Sequence, residues 1–373
     1  MRVLIVPDKF KGTLAAGAVA AALARGWRRG RPADTVTRLP MSDGGDGFGA
    51  LISTALGARP QRVRTVDAAH RPCMARWWWE AKSRRAILES ATAIGLALLP
   101  PGRYHPFELD TFGLGKVFKA AAAKGARRCL IGIGGSATND AGFGLALALG
   151  WQFLDKGGKR IERWTELTRL SQIRPPERPL RFRELVVAVD VQNPLLGARG
   201  ATRIYGPQKG IRPEDVAAAE GCLRRLARVF ETQFGWSPAS EPGAGAAGGL
   251  GFGLRAFVGA RLEPGFDLFA RHAGLERQLR RADLVITGEG AIDRSTLMGK
   301  AVGQVAARCA GLGIPCLAFA GAMGLNRRRA HPFTEVHALT DVTSLEQAKA
   351  RPAWWLEQLA ARVAREWAGR AGA

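Results

Sequence analysis

Apolar residues fall in short blocks that alternate between strand-like and helix-like spacing. Val3–Val6 is a four-residue apolar run bounded by Arg2 and Pro7, the pattern of a buried strand. Thr13 predicts an N-cap for a helix over Leu14–Arg29, which Gly30 and Pro32 end. Thr35–Leu39 predicts a second strand. Ser42 or Asp46 then supplies an N-cap for a helix that stops near Gly57. Alternation of this length predicts parallel pairing.

The pattern then changes. Arg76–Ala81 and Arg85–Leu88, joined by Lys82–Arg84, predict an antiparallel hairpin. Trp151–Leu154 and Lys159–Ile161, joined through Gly157 and Gly158, predict another. Cys129–Ile133 and Leu185–Val189 read as apolar strands. A long helix is expected over Pro213–Phe234, with Pro in its first turn beside Glu214 and Asp215. Parallel character returns with strands Leu284–Thr287, Pro315–Ala320 and Glu335–Leu339 and a helix over Gly299–Ala310. Trp355, Leu359, Val363 and Trp367 recur at helical spacing, the signature of a core-facing stripe. The expected fold class is α/β in two domains. A Rossmann-like parallel-sheet domain uses both chain ends, 1–65 and 283–373, and a mixed α/β domain, 66–282, is inserted between them.

Length and composition narrow the class. The 373 residues suffice for two domains, and a 47% hydrophobic content excludes disorder. The opening apolar run is too short for a signal peptide, and no uncharged run approaches the ~18 residues of a membrane span. A soluble, cytoplasmic protein with no membrane partner is expected. Cys73, Cys129, Cys222, Cys309 and Cys316 form no C-x-x-C pair, which disfavours a zinc or disulfide framework. The net charge is +23, but the arginines are spread along helix faces and no nucleic-acid-binding motif accompanies them. No nucleic-acid partner is expected; a positive field also suits small anionic substrates.

Candidate chemistry gathers where strands end, the place where open α/β sheets bind ligands. Asp8, Lys9 and Lys11 follow the first strand. Ser42, Asp43 and Asp46 lie in a glycine-rich loop after the second, where carboxylates could hold magnesium or a substrate hydroxyl. Gly134, Gly135, Ser136, Thr138, Asn139 and Asp140 form a run able to offer amides and hydroxyls to phosphate. It lacks the Gly-Lys-Ser/Thr of a Walker loop. Asp190 ends a nearly all-apolar strand, as a general base or metal ligand would. Lys209 adds a cation at a turn. The G-x-G-x-x-G within Gly243–Gly248 follows no strand, so a dinucleotide fingerprint is rejected in favour of close packing or a helix start. Glu289 and Asp293, with Lys300 behind them, suit a magnesium–phosphate site.

Taken together, PDKFKGTL, PMSDGGDG, ESATAIGL, GIGGSATNDAG, VDVQNPLLG, GPQKG, GAGAAGGLG and ITGEGAID resemble, in order and spacing, the glycerate kinases of the bacterial type. The last seventy residues or so share only general character with them. Ala291 stands where that family usually has Arg. The resemblance implies phosphorylation of D-glycerate by ATP with Mg2+, most often to 2-phosphoglycerate, at a cleft between the two domains. ATP and D-glycerate are then the expected partners, and a homodimer is left open. Under this reading Gly134–Asp140 cradles the ATP phosphates and Lys9 and Lys11 neutralise the substrate carboxylate or the moving phosphoryl group. Asp190 is the favoured base, with Asp8 and Asp43 as rivals. Asp8, Ser42, Asp43 and Lys209 face the substrate, and Glu289 and Asp293 bind magnesium. An NAD(P)-dependent oxidoreductase and a non-catalytic metabolite sensor are the competing classes; neither has a supporting motif beyond the glycine-rich loops.

Overall fold

The computed structural model describes the chain apart from Asp46, Met298, residues 325–330 and 368–373, and the side chain of Ser295. In chain order the strands begin with β1 (Arg2–Pro7), β2 (Thr35–Arg38), β3 (Arg59–Val66), β4 (Pro72–Glu80), β5 (Arg85–Glu89) and β6 (Arg128–Gly132). Then come β7 (Gln152–Leu154), β8 (Gln172–Arg174), β9 (Glu184–Val189), β10 (Arg261–Pro264), β11 (Leu284–Ile292), β12 (Cys316–Met323) and β13 (Glu335–Ala338). Two helices recur below: α1 (Ala16–Gly30) and α2 (Phe48–Leu56).

The first compact unit is residues 1–42 with 269–373. Its five-stranded sheet runs β13-β12-β11-β1-β2, every pair parallel. β1 is buried from Val3 to Pro7, as an inner strand covered on both faces must be. α1 lays Val19, Leu23 and Trp27 against Leu356, Leu359 and Val363 of the C-terminal helix Pro352–Glu366. The two helices touch closely at Gly26, where an added Cβ would run into Glu357 O and stand 2.8 Å from Ala360 Cβ. Glu357 closes the contact by pairing with Arg25 and Arg29.

The second unit is residues 43–268. Its six-stranded sheet runs β10-β9-β6-β5-β4-β3. β10, β9, β6 and β5 are parallel, and β4 and β3 add antiparallel to the β5 side. The chain is thus an α/β protein with one parallel and one mixed sheet. The units divide at Ser42/Asp43 and Leu268/Phe269, not at 65/66 and 282/283. α2 and β3 belong to the second unit because β3 pairs along its whole length with β4.

Several local expectations change. Helix α1 begins at Ala16 with Ala15 at the N-cap; Thr13 instead donates its hydroxyl to Phe10 O at 3.0 Å in a turn closed by Phe10 and Leu14. Trp151–Leu154 pairs with Lys159–Ile161 as expected, through Ile161 N to Phe153 O at 2.8 Å, Asp155 N to Lys159 O at 3.0 Å and the bridge between Leu154 and Arg160. What the spacing did not show is that β7 takes β8 as a second antiparallel partner. Pro213–Asp215 forms a tight turn, and the long helix starts at Val216. The glycine run of 243–249 packs closely, as expected: Ala247, Gly248 and Gly249 are left-handed within the helix Ala246–Val258, and a Cβ on Gly248 would collide with Thr138 O.

Candidate functional site

In the first unit the strand order reverses between β1 and β11, since the chain turns one way to β2 and the other way to β12. Crevices at such switch points face the carboxyl ends of the strands. Asp8, Lys9 and Lys11 leave β1 there, and Gly288-Glu289-Gly290 runs beside them, with Asp8 N bonded to Gly288 O at 2.8 Å. Asp8 Oδ1 accepts from Lys9 N at 2.7 Å, which fixes the carboxylate beside its own turn. Lys11 is exposed and Lys9 half-buried. Ser42 is buried at the end of the segment after β2.

Glu289 lies on β11 with 7% of its surface exposed. Its Oε1 accepts from Thr296 Oγ1 at 2.7 Å, and its Oε2 lies 3.4 Å from Lys300 Nζ. Burial raises its pKa, while Thr296 and Lys300 pull it back. Lys300 also stands 3.8 Å from Asp293 Oδ1. No cluster of three metal-ligating side chains exists among the described residues. Magnesium seldom needs one: it takes one or two carboxylates and completes its shell with water and phosphate. Glu289 and the half-exposed Asp293 fit that kind of donor set, with Lys300 as a resident cation that already balances part of their charge.

The second unit has its own cluster at the carboxyl ends of β5, β6 and β9. The loop from Asp43 crosses over these ends. Gly134 N donates to Gly44 O at 3.1 Å, and a Cβ on Gly134 would sit 2.5 Å from Gly45 Cα. A Cβ on Gly265 would overlap Asp43 O. Only glycines allow this stacking of backbone on backbone. Asp43 is half-buried and its Oδ1 accepts from Gly45 N at 3.2 Å. Asp46 lies outside the described residues.

Glu89 anchors the loop, a part that motif reading left without a role. This buried carboxylate at the end of β5 accepts from Gly47 N at 2.8 Å and Gly49 N at 3.0 Å, the first amides of α2. The signal was available: an acidic residue closes the apolar run Ala86–Leu88, just as Asp190 closes Leu185–Val189.

Because Gly132 pairs with Ala188, Gly134 and Asp190 leave the sheet side by side. Gly135 and Asp190 are exposed and Gly134 is partly so. Burial, and then the negative charge of Asp190, push the Tyr205 phenol up to about 12. Tyr205 in turn donates to Asn193 Oδ1 at 2.6 Å, which secures the loop after β9.

The rest of the glycine-rich run turns inward. Thr138, Asn139 and Asp140 have no exposed surface, and Ser136 has 6%. Asp140 Oδ2 accepts from Thr111 N, Thr111 Oγ1 and Gly144 N at 2.7 to 2.9 Å. Burial, and then the charge of Asp110, push its pKa up to about 6. Lys209 is buried too, and its Nζ donates to Thr138 O at 2.6 Å. Burial brings that ammonium down to about 7, against the attraction of Asp140. Lys209, Thr138, Asn139 and Asp140 therefore form the frame beneath the loop, whereas the sequence reading had turned Thr138, Asn139 and Asp140 toward the ATP phosphates and Lys209 toward the substrate. Neither the spacing nor the residue type distinguishes a buried brace from a ligand contact.

The glycerate kinase family model matches residues 3–368. The chain belongs to the glycerate kinase family. It is 36% identical to a glycerate kinase of Halalkalibacterium halodurans over 97% of both chains. It is also 36% identical to the glycerate 2-kinase of Escherichia coli, over 80% of each. A crystal structure described as glycerate kinase 2 of Salmonella typhimurium LT2 superposes with a TM-score of 0.82, at 33% identity and over 98% of both chains. The family match reaches residue 368, so it includes the C-terminal helix, whereas the last quoted motif, ITGEGAID, ends at Asp293. No helix among the described residues is long and apolar enough to cross a membrane.

Proposed function

We propose that the chain transfers the γ-phosphoryl group of ATP to a hydroxyl of D-glycerate, giving ADP and 2-phosphoglycerate. Family membership supports the reaction class. The observation that supports the assignment of parts is the exit of Gly134–Gly135 and Asp190 from neighbouring strands, side by side and accessible. Phosphoryl transfer requires positioning, charge neutralisation and a path for one proton. Gly135 offers its backbone amide to phosphate, with Ser136 just behind it, while Gly134 gives its own amide to Gly44 O and seats the Asp43 loop. Thr138, Asn139, Asp140 and Lys209 hold that loop in shape.

Asp190 is the favoured base. The substrate hydroxyl oxygen forms a bond to the γ-phosphorus, the bond to the ADP oxygen breaks, and the hydroxyl proton passes to the carboxylate. Asp8 and Asp43 remain the rival bases. Lys9 and Lys11 meet the substrate carboxylate or the moving phosphoryl group. Ser42 and Asp43 bind the substrate hydroxyls. Glu289 and Asp293 would hold Mg2+, which when bound screens the charge between the phosphates.

ADP release in the presence of ATP, Mg2+ and D-glycerate tests the reaction, and phosphorus NMR of the product separates 2- from 3-phosphoglycerate. Asp190→Asn is expected to lower turnover by about 10²–10⁴-fold with unchanged folding. A rate close to that of the parent would pass the base role to Asp8 or Asp43. Folded protein that binds ATP without glycerate-dependent turnover would favour a sensor or another hydroxy acid.

A further inference from the structure

The antiparallel side of the second unit's sheet has an unmatched charge pattern. β3 and β4 pair so that Arg62 stands directly opposite Arg76 and Arg64 opposite Met74. Directly opposed residues point to the same face with Cβ atoms about 4.5–5.5 Å apart, and like charges placed so destabilise the pair. Charge on an edge strand has a structural use, since it blocks pairing with other chains. That accounts for Arg62 on β3. Arg76 stands on β4 just before the stretch Trp78–Glu80 that pairs with β5, and a second like charge directly opposite Arg62 is more than that use requires. Both arginines are exposed, and among the described residues no side chain offers either guanidinium a hydrogen bond or ion pair.

The same two arginines line a cavity of about 410 Å³, with Met74 and Trp78 from β4, Ala50 from α2, and Glu89. The size falls within the range of about 300–1,000 Å³ common for small-ligand sites. Glu89, the carboxylate in the lining, has its oxygens on the amides of Gly47 and Gly49 at 2.8 and 3.0 Å. The acidic group is thus held at the start of α2, while the guanidinium charge on the other wall is unbalanced.

We propose that this cavity binds a small phosphorylated molecule, at a site distinct from the residues assigned to phosphoryl transfer. Its phosphate bridges Arg62 and Arg76, because paired guanidinium forks match phosphate oxygens in geometry and charge. Its apolar part rests on Met74 and Ala50. Glu89 and Gly47 belong both to this cavity wall and to the anchor of the loop bearing Asp43, so a bound molecule touches the anchor of that loop.

Calorimetric titration of the full chain with inorganic pyrophosphate tests the site on three proteins: the parent, R62Q/R76Q, and the charge-matched R277Q/R280Q, whose arginines are exposed in the other unit. One binding event is expected to persist in the parent and the control and to weaken at least about tenfold in R62Q/R76Q. The thermal stability of each chain confirms folding, and R76Q alone, with a smaller loss, replaces the double variant if that one unfolds. Identical isotherms in all three proteins would overturn the proposal. So would an equal loss in both charge-reduced chains, which would assign the binding to the overall positive field. The titration does not depend on kinase turnover, so failure of the glycerate reading leaves its outcome interpretable.

Discussion

Lys209 carries a titrating ammonium in a place closed to water. Burial lowers its pKa from 10.5 to about 7, so the folded protein releases this proton well before the unfolded chain does. Where the unfolded state binds more protons, stability rises with pH. Lys209 therefore costs stability below about pH 7, and that cost disappears as pH climbs toward 10.5. Urea titrations of the parent and Lys209→Met are expected to differ by an amount that changes across this window by on the order of a few kcal/mol. Asp140 has the opposite sign: raised from 3.8 to about 6, it contributes stability at low pH that is lost as pH rises through about 6. Asp140→Asn should flatten that acidic limb, as measured by the same method. Glu89→Ala removes the acceptor from one buried and one half-buried amide and is expected to cost about 2–4 kcal/mol in denaturant unfolding. Turnover should fall as well, since Asp43 sits on the loop so anchored. Glu89→Gln, which keeps one acceptor oxygen, should recover part of both. The sequence made Asp190 and Glu289 legible because each interrupts an apolar strand. It could not separate Gly135 from the buried Ser136 and Asp140 by exposure, since burial depends on how Gly248 and Gly249 press the loop from behind.

Among the elements, periodicity was most informative where one face met one partner. The four-residue spacing from Trp355 to Val363 correctly marked the face that meets α1. Gly26 carries that contact: Ala would favour the isolated helix by about 1 kcal/mol, yet its methyl group would press into Glu357 O. Gly26→Ala is expected to lower stability by about 1–3 kcal/mol in denaturant unfolding, the cost of overpacking outweighing propensity. The hairpin expected at 151–161 is present, and its first strand has a further partner that local spacing did not reveal. Phe153 and Ile173 are both buried and lie opposite each other in the β7–β8 pair, so a distant apolar segment joined the local turn. β3 escaped notice because its arginines hide the alternation that Val63 and Thr65 continue toward the interior. Gly134→Ala would separate the β6 loop from Gly45 and is expected to lower turnover with little change in unfolding midpoint.

At the scale of the molecule the charge of +23 is the dominant long-range feature. A field of that sign concentrates anionic substrates, and salt screens it. For the proposed reaction kcat/KM for ATP should fall severalfold between roughly 0.02 and 0.3 M salt, with kcat much less affected. The α/β class and its discontinuous domain were legible from the return of parallel strands near Leu284. The exact crossing points were not, because a boundary depends on which sheet claims β3. That discontinuity also sets a schedule for the ribosome. β1 pairs with β2 early, but its other edge waits for Leu284, which pairs with Val3. At about 5–20 residues per second the delay is roughly 15–55 s. Residues 43–268 complete their own unit in that interval. Nascent chains halted before Leu284 should therefore be cut by protease within the first 42 residues while the inserted unit resists. β1, made well before its neighbour β11, is among the last strands of its sheet to be enclosed.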